Sequence, residues 1–211
     1  MTSNRLIKVC GIKYPENREA LTASGIDLMG FIFYPRSKRY VGNLPEGEKI
    51  RLFASPVPGV GVFVNEKIQD VLLPAKKYGL AYIQLHGNES PAYCREVRDA
   101  GFRVIKSFGI SEAFDFAATA DYTEAADYFL FDTKAPSYGG TGRKFNWSLL
   151  DRYQGEKSFL LSGGIQPEDA VVLREFRHPK LAGFDLNSGF EDKPGLKNLR
   201  TINAFIHMIK S

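Results

Sequence analysis

Of 211 residues only two are cysteine, three are histidine and one is tryptophan. Cys10 and Cys94 build no secretory disulfide framework and show no paired-cysteine spacing for zinc. Three scattered histidines give no convincing ligand set, so no metal site is expected. No apolar run approaches the length needed to cross a bilayer, and MTSNRLIKVC holds no apolar core of signal-peptide length. Low-complexity segments and Pro/Gly-rich linkers are missing too. Charge of one sign is also scarce: 28 Lys and Arg against 24 Asp and Glu leave a net charge of +4. That scattered excess is too weak for a nucleic-acid surface and suits a small anionic ligand. The expectation is one soluble, cytoplasmic domain over residues 1–211, long enough to bury its own core.

What the chain does have is a rhythm. Apolar runs rich in β-branched and aromatic residues recur at Leu6–Cys10, Leu28–Phe33, Val60–Val64, Tyr82–His86, Arg103–Phe108, Tyr128–Asp132, Phe159–Ser162 and Ala182–Asp185. They are nearly continuous rather than alternating, as in strands buried on both faces of a parallel sheet. Helical stripes lie between them. Ile68, Val71, Leu72 and Ala75 share one helix face, as do Leu199, Ile202, Phe205, Ile206 and Ile209. Ser90-Pro91 and Gln166-Pro167 read as helix starts, Gly25 and Gly79 as helix ends. Weaker helical patterns cover Pro45–Phe53, Ser111–Ala120 and Trp147–Leu150, and a loop or single turn would fit one of them.

Alternating strands and helices build a doubly wound open sheet or a closed barrel. The first turn, CGIKYPEN, lacks the G-x-G-x-x-G of a dinucleotide-binding open sheet. Eight runs, with Cys10, His86, Asp132, Ser162 and Asp185 at their ends, favour a single-domain (β/α)8 TIM barrel, an α/β fold whose active sites lie there.

The loops after the seventh and eighth runs, FLLSGGIQ and FDLNSGFE, are small and glycine-bearing. Barrels often bind phosphate at these two places, where glycine lets backbone N–H groups close on the oxygens. Gly163, Gly164, Ser188 and Gly189 are the expected phosphate seat, against the plainer reading of tight turns. Asp132 precedes a long loop holding Gly139, Gly140 and Gly142. It either caps that loop or, in a partly closed apolar site, keeps a proton for delivery while the loop covers substrate. Cys10 is either a small core residue or the complementary base. As a base its thiol is expected to fall below the ordinary value of about 8.5, through cations such as Lys8 or Arg39. A thiolate opposite a carboxylic acid, above a phosphate seat, moves protons between C1 and C2 of a phosphorylated sugar. That chemistry needs no metal, nucleotide or other cofactor.

The stretches KVCGIK, GFIFYPRSKRYV, VGVFVN, IQLHGNE, FDTKAPSYGGTG, FLLSGGIQPE and FDLNSGFE occur in that order. With them the chain resembles, over essentially its whole length, the phosphoribosylanthranilate isomerase family of tryptophan biosynthesis. The resemblance implies a (β/α)8 barrel and the Amadori rearrangement of N-(5-phosphoribosyl)anthranilate to 1-(2-carboxyphenylamino)-1-deoxyribulose 5-phosphate. It implies Cys10 as general base, Asp132 as general acid and Arg39 as partner of the anthranilate carboxylate. Asp185 and His86 are implied as polar positioning groups, with a purely structural bond equally open for His86. Two positions depart from the family's usual loops: Lys13 stands where threonine is common, and Asn187 where serine is common.

The implied partner is a small phosphorylated aminosugar, with no nucleic acid and no membrane, and a monomer is the default. A histidine-pathway aminoaldose isomerase would want a carboxylate base where Cys10 stands. A sugar-phosphate epimerase would want metal ligands, and a non-catalytic phosphate sensor would need neither Cys10 nor Asp132.

Overall fold

The computed structural model describes residues 5–134 and 144–211. Each apolar run is a strand: β1 (Leu6–Cys10), β2 (Leu28–Ile32), β3 (Gly59–Phe63), β4 (Tyr82–Leu85), β5 (Arg103–Ile110), β6 (Tyr128–Thr133), β7 (Phe159–Leu161) and β8 (Leu181–Leu186). Neighbours in sequence pair in parallel, and β8 returns to pair with β1, closing a barrel of eight strands. Closure leaves no strand edge to protect, so runs that are apolar on both faces cost nothing in exposed ladder groups.

Helices cover the outside: α1 (Pro15–Thr22), α2 (Glu46–Phe53), α3 (Ile68–Lys77), α4 (Pro91–Asp99), α5 (Ala170–Glu175) and α6 (Leu199–Lys210). Their ends follow local chemistry. The Ser90 hydroxyl accepts from the Tyr93 N–H ahead of Pro91, and Asn198 caps α6 by accepting from the Thr201 N–H. Gly79 follows α3 with φ of +61°, a conformation that stops a helix. Two expected helices, Ser111–Ala120 and Trp147–Leu150, are instead 3-10 turns at Phe116–Tyr122 and Trp147–Arg152. In each, a short polar side chain takes the second N–H onward, Asp115 from Ala117 and Asn146 from Ser148. Such local bonds compete with α-helix continuation. Beyond β8 the chain forms a hairpin with no counterpart in the sequence pattern, β9 (Glu191–Lys193) and β10 (Leu196–Lys197).

The barrel interior changes character along its axis. Its floor is one apolar layer of Leu28, Val60, Tyr82, Ile105, Leu130 and Leu160, a side chain from each of six strands. A strand returns to the same face every second residue. The next inward positions are therefore Lys8, Gly30, Val62, Gln84, Ser107, Asp132 and Ser162, mostly polar. Strand β8 breaks that period. Leu181 pairs with Phe159 while Gly183 pairs with Leu160, so Ala182 is one residue too many, a bulge. Only glycine fits at 183, where a Cβ would lie 1.9 Å from the Leu6 carbonyl oxygen. The bulge leaves Ala182 against the barrel floor and turns Asp185 inward toward Lys8. Phe184, between them, packs outward on Phe205 of α6.

Candidate active site at the barrel mouth

Cys10 ends β1 and is 3% exposed. Its space is provided by the register partner Gly30 on β2. A Cβ on Gly30 would lie 2.7 Å from the Cys10 sulfur and 2.9 Å from its Cα. Burial holds the Cys10 thiol above its ordinary value, with Lys8 opposing. This corrects the expectation of a lowered thiol. Lys8 is beside the sulfur, but its ammonium also donates a 2.7 Å hydrogen bond to Asp185 Oδ1. Burial of a small anion outweighs a cation already shared with a carboxylate.

Asp132, on β6, looks into the same cleft from the far side of β7 and β8. Burial pushes its carboxyl up to about 6, opposed by the Thr133 backbone N–H, which donates to Oδ1 at 2.7 Å. Asp132 is thus both a loop cap and a carboxyl able to keep a proton near neutrality. Gly163 makes this packing possible. It sits at φ of +92°, and a Cβ there would lie 2.5 Å from Thr133 Oγ1 and 3.1 Å from Asp132 Oδ1.

His86 is the residue after β4. Burial, with Lys106 adding to it, pulls its ring down to about 4, so it is neutral at physiological pH. Gln84 Nε2 lies 2.9 Å from His86 Nδ1 and donates to it, leaving the ring proton on Nε2. That nitrogen stands 3.5 Å from Asp132 Oδ2, a polar contact rather than an ion pair.

Arg39 crosses the β1 mouth over Gly11, where a Cβ would sit 2.5 Å from Arg39 Cδ. Its Nε donates to Glu191 Oε1 and Oε2 at 2.8 and 3.1 Å, and Nη2 donates to Oε2 at 2.6 Å.

One cleft gathers these groups: Cys10, Arg39, His86, Asp132 and Asp185 all line it. So do Gly163, Gly164 and Ser188 of the two glycine loops, while Ile32, Val62 and Val64 form an apolar wall. Gly189 does not line it. A Cβ on Gly189 would meet the Ile165 carbonyl oxygen at 2.3 Å, so this glycine docks the two loops against each other. The expected cover at Gly139, Gly140 and Gly142 lies outside the described residues. Among the described residues no group of three or more His, Cys, Asp or Glu is placed to hold a metal. No helix among them is long and apolar enough to cross a membrane.

Sequence reasoning missed Gly30, Gln84, Glu191 and Lys197. Glu191 ended a motif read for its glycine, and Gly30 lay inside an apolar run where nothing marks a glycine as a seat for sulfur. The two departures from the family's loops meet the same hairpin. Lys13 N–H donates to the Gly195 carbonyl at 3.1 Å, and Asn187 Oδ1 accepts from Lys197 Nζ at 2.9 Å.

A closed parallel barrel with a thiol, a proton-holding carboxyl and an arginine at one mouth defines a (β/α)8-barrel enzyme working by acid and base groups. The model of the N-(5'-phosphoribosyl)anthranilate (PRA) isomerase family matches residues 7–208. The N-(5'-phosphoribosyl)anthranilate isomerase of Parabacteroides distasonis is 48% identical over 205 residues, 97% of this chain and 93% of that protein. The crystal structure of the Thermotoga maritima phosphoribosyl anthranilate isomerase superposes with a TM-score of 0.85 at 36% identity, covering 98% of each chain. Another isomerase structure, in complex with reduced 1-(o-carboxyphenylamino)-1-deoxyribulose 5-phosphate, gives 0.82 at 33% identity, again over 98% of each. The chain belongs to the N-(5'-phosphoribosyl)anthranilate isomerase family.

Proposed function

We propose that this protein catalyses the Amadori rearrangement of N-(5-phosphoribosyl)anthranilate to 1-(2-carboxyphenylamino)-1-deoxyribulose 5-phosphate, a step of tryptophan biosynthesis. One observation carries the reading beyond family membership. Cys10 and an Asp132 carboxyl raised to about 6 open onto one cleft, with glycine loops on one side and an arginine on the other.

The phosphate lies against the loops after β7 and β8, near Gly163, Gly164 and Ser188, with Gly189 holding the loops together. The aryl ring rests on Ile32, Val62 and Val64, and its carboxylate meets Arg39. Asp132 gives its proton to the ribose ring oxygen, and the C1–O bond breaks to leave an iminium. That cation acidifies the neighbouring C2–H, so the Cys10 thiolate can remove it. The enolamine then tautomerises to the ketone, and no atom is gained or lost. Lys8 beside the sulfur stabilises the thiolate, Asp185 holds Lys8 in place, and neutral His86 steadies the Asp132 carboxyl. The proposed working unit is a single chain, and the proposed location is the cytoplasm.

The test is direct. Purified protein added to N-(5-phosphoribosyl)anthranilate should speed the decay of its fluorescence, with the ketose phosphate as product. No acceleration at micromolar protein would overturn the reading.

A further inference from the structure

Glu191 and Lys197, which the mechanism above does not use, form a buried knot on the β9–β10 hairpin directly beside the site. Their side chains are 4% and 0% exposed. Glu191 accepts from Arg39 along the Nε–Nη2 edge, from Lys197 Nζ at 2.7 Å and from the Gly195 N–H at 3.0 Å. Lys197 Nζ in turn donates to Asn187 at both its carbonyl oxygen, 3.3 Å, and Oδ1, 2.9 Å. Asn187 immediately precedes Ser188 in the loop after β8. A continuous chain of charged hydrogen bonds therefore joins the arginine on one side of the cleft to the glycine loop on the other.

A guanidinium offers five N–H donors in a flat fork. Among the described residues, every hydrogen bond from the Arg39 side chain leaves the Nε–Nη2 edge and ends on Glu191. The Nη1 side of the fork remains, on a residue that lines the cleft. We propose that Glu191 is a positioning residue for anion recognition. It holds one edge of Arg39 so that the other is presented to the substrate's aryl carboxylate, and through Lys197 it fixes that edge relative to the phosphate loop. The inference rests on the isomerase reading above and deepens it. The two anionic ends of the substrate are then measured against one rigid unit.

Charge balance points the same way. Arg39 and Lys197 face one carboxylate, so the knot carries one uncompensated positive charge. Burial pulls Lys197 down to about 8, with Glu191 opposing, and it still keeps most of its charge at neutral pH. A buried cationic excess costs stability unless an anion joins it. The substrate carboxylate is that anion.

The experiment measures binding without turnover, using the reduced product, 1-(2-carboxyphenylamino)-1-deoxyribitol 5-phosphate, and its counterpart lacking the carboxyl group. Aryl-amine fluorescence reports both. Wild type should prefer the carboxylated compound strongly. Glu191→Gln should cut that preference by about 10–100-fold, the usual cost of removing a partner that orients a ligating group, while affinity for the carboxyl-free compound changes little. Because Glu191→Gln leaves two buried cations facing no anion, the double variant Glu191→Gln/Lys197→Met serves alongside it, keeping the knot's net charge. It should lose the preference to the same extent, and thermal melting checks that both variants fold. Glu191→Asp keeps the charge but retracts the carboxylate, and should restore only part of the preference. Equal weakening of both compounds, or a preference kept within twofold in the folded variants, would overturn the positioning role while leaving the isomerase reading intact. Wild type binding neither compound would overturn that reading, and this inference with it.

Discussion

The molecule holds two buried thiols in two different neighbourhoods, and their comparison separates burial from reactivity. Cys10, at the end of β1, and Cys94, in α4, are both buried and unpaired. Burial raises both, Cys94 to about 11. What differs is the company. Cys94 is fully enclosed in the core between helix and barrel, with Val97 one turn along. Cys10 has Lys8 beside it, an empty seat opposite it at Gly30 and a cleft above it. A raised thiol is therefore no mark of an inert one. Access to a cleft and a lysine hydrogen-bonded to the sulfur set Cys10 apart. Lys106 acts on Cys94 only through its charge, and the protonation state alone does not separate the two.

The largest expected effect breaks the pair apart outright. Cys10→Ala should lower kcat/KM by about 10²–10⁴-fold, as loss of a general base does, and Asp132→Asn should do the same for the acid. The two losses should not multiply, because both serve one sequence of proton transfers. Steady-state assays of the three variants measure this, and a Cys10→Ala enzyme within tenfold of wild type would remove Cys10 from the base role.

Next comes the seat. Gly30→Ala puts a methyl 2.7 Å from the Cys10 sulfur, with the strand backbone behind it. The sulfur must move, and displacement of a reacting group by about 1 Å costs roughly 10²-fold. The loss should fall on kcat, since Gly30 lies below the substrate, and a change confined to KM would refute the seat.

A smaller effect concerns proton order. With Asp132 at about 6 and the Cys10 thiol above the ordinary range, the acid is the stronger acid of the two. The active form, thiolate with carboxylic acid, is then a minority species. Its fraction is constant between the two values and falls outside them. Below pH 6 Asp132 is already protonated and further acid only removes thiolate, so kcat/KM should drop there and stay flat through neutrality. Thiolate absorbance in a Cys94→Ala background assigns the limbs. A midpoint above about 8.5 is expected for Cys10, and one near 6 would reverse the assignment.

The smallest effect is on the silent partner. Cys94→Ala should leave kcat/KM unchanged and lower stability by about 1 kcal/mol, the modest cost of trimming one buried atom. A denaturant titration beside the assay checks both halves.

Much of this was legible beforehand, for physical reasons. Both faces of each strand are buried, so strands such as Tyr128–Thr133 and Leu181–Leu186 write themselves as apolar runs, and their closing polar residues, Asp132 and Asp185, mark the mouth. The helices with an apolar stripe were equally visible, α3 and α6 above all. Phe116–Tyr122 and Trp147–Arg152 were not, because a 3-10 turn and a short helix share composition and differ by one local side-chain bond. At the site, Cys10 and Asp132 stood out by position, but the direction of the Cys10 shift was misread. Sequence shows Lys8 two residues away, and it does not show Asp185 sharing that lysine from the other end of the chain. Glu191 and Lys197 were missed for the same reason: a hairpin of five strand residues has no period to read.

The bulge at Ala182 gives β8 a parity. Count the residues from the floor of the barrel to its mouth: the count carries one extra, and Asp185 points inward only because the bulge absorbs it. Flatten the bulge while keeping every residue, and plain alternation from Leu181, which faces the helices, applies all the way to Asp185. The carboxylate would then turn out among the helices and Phe184 would turn in beside Lys8. No residue would have been changed or lost. The lysine at the centre of the barrel would lose its counter-ion all the same. In this strand a one-residue gap in a relative's alignment is mild, because it removes the residue the bulge absorbs and leaves Asp185 inward. Losing the bulge alone is a change of chemistry.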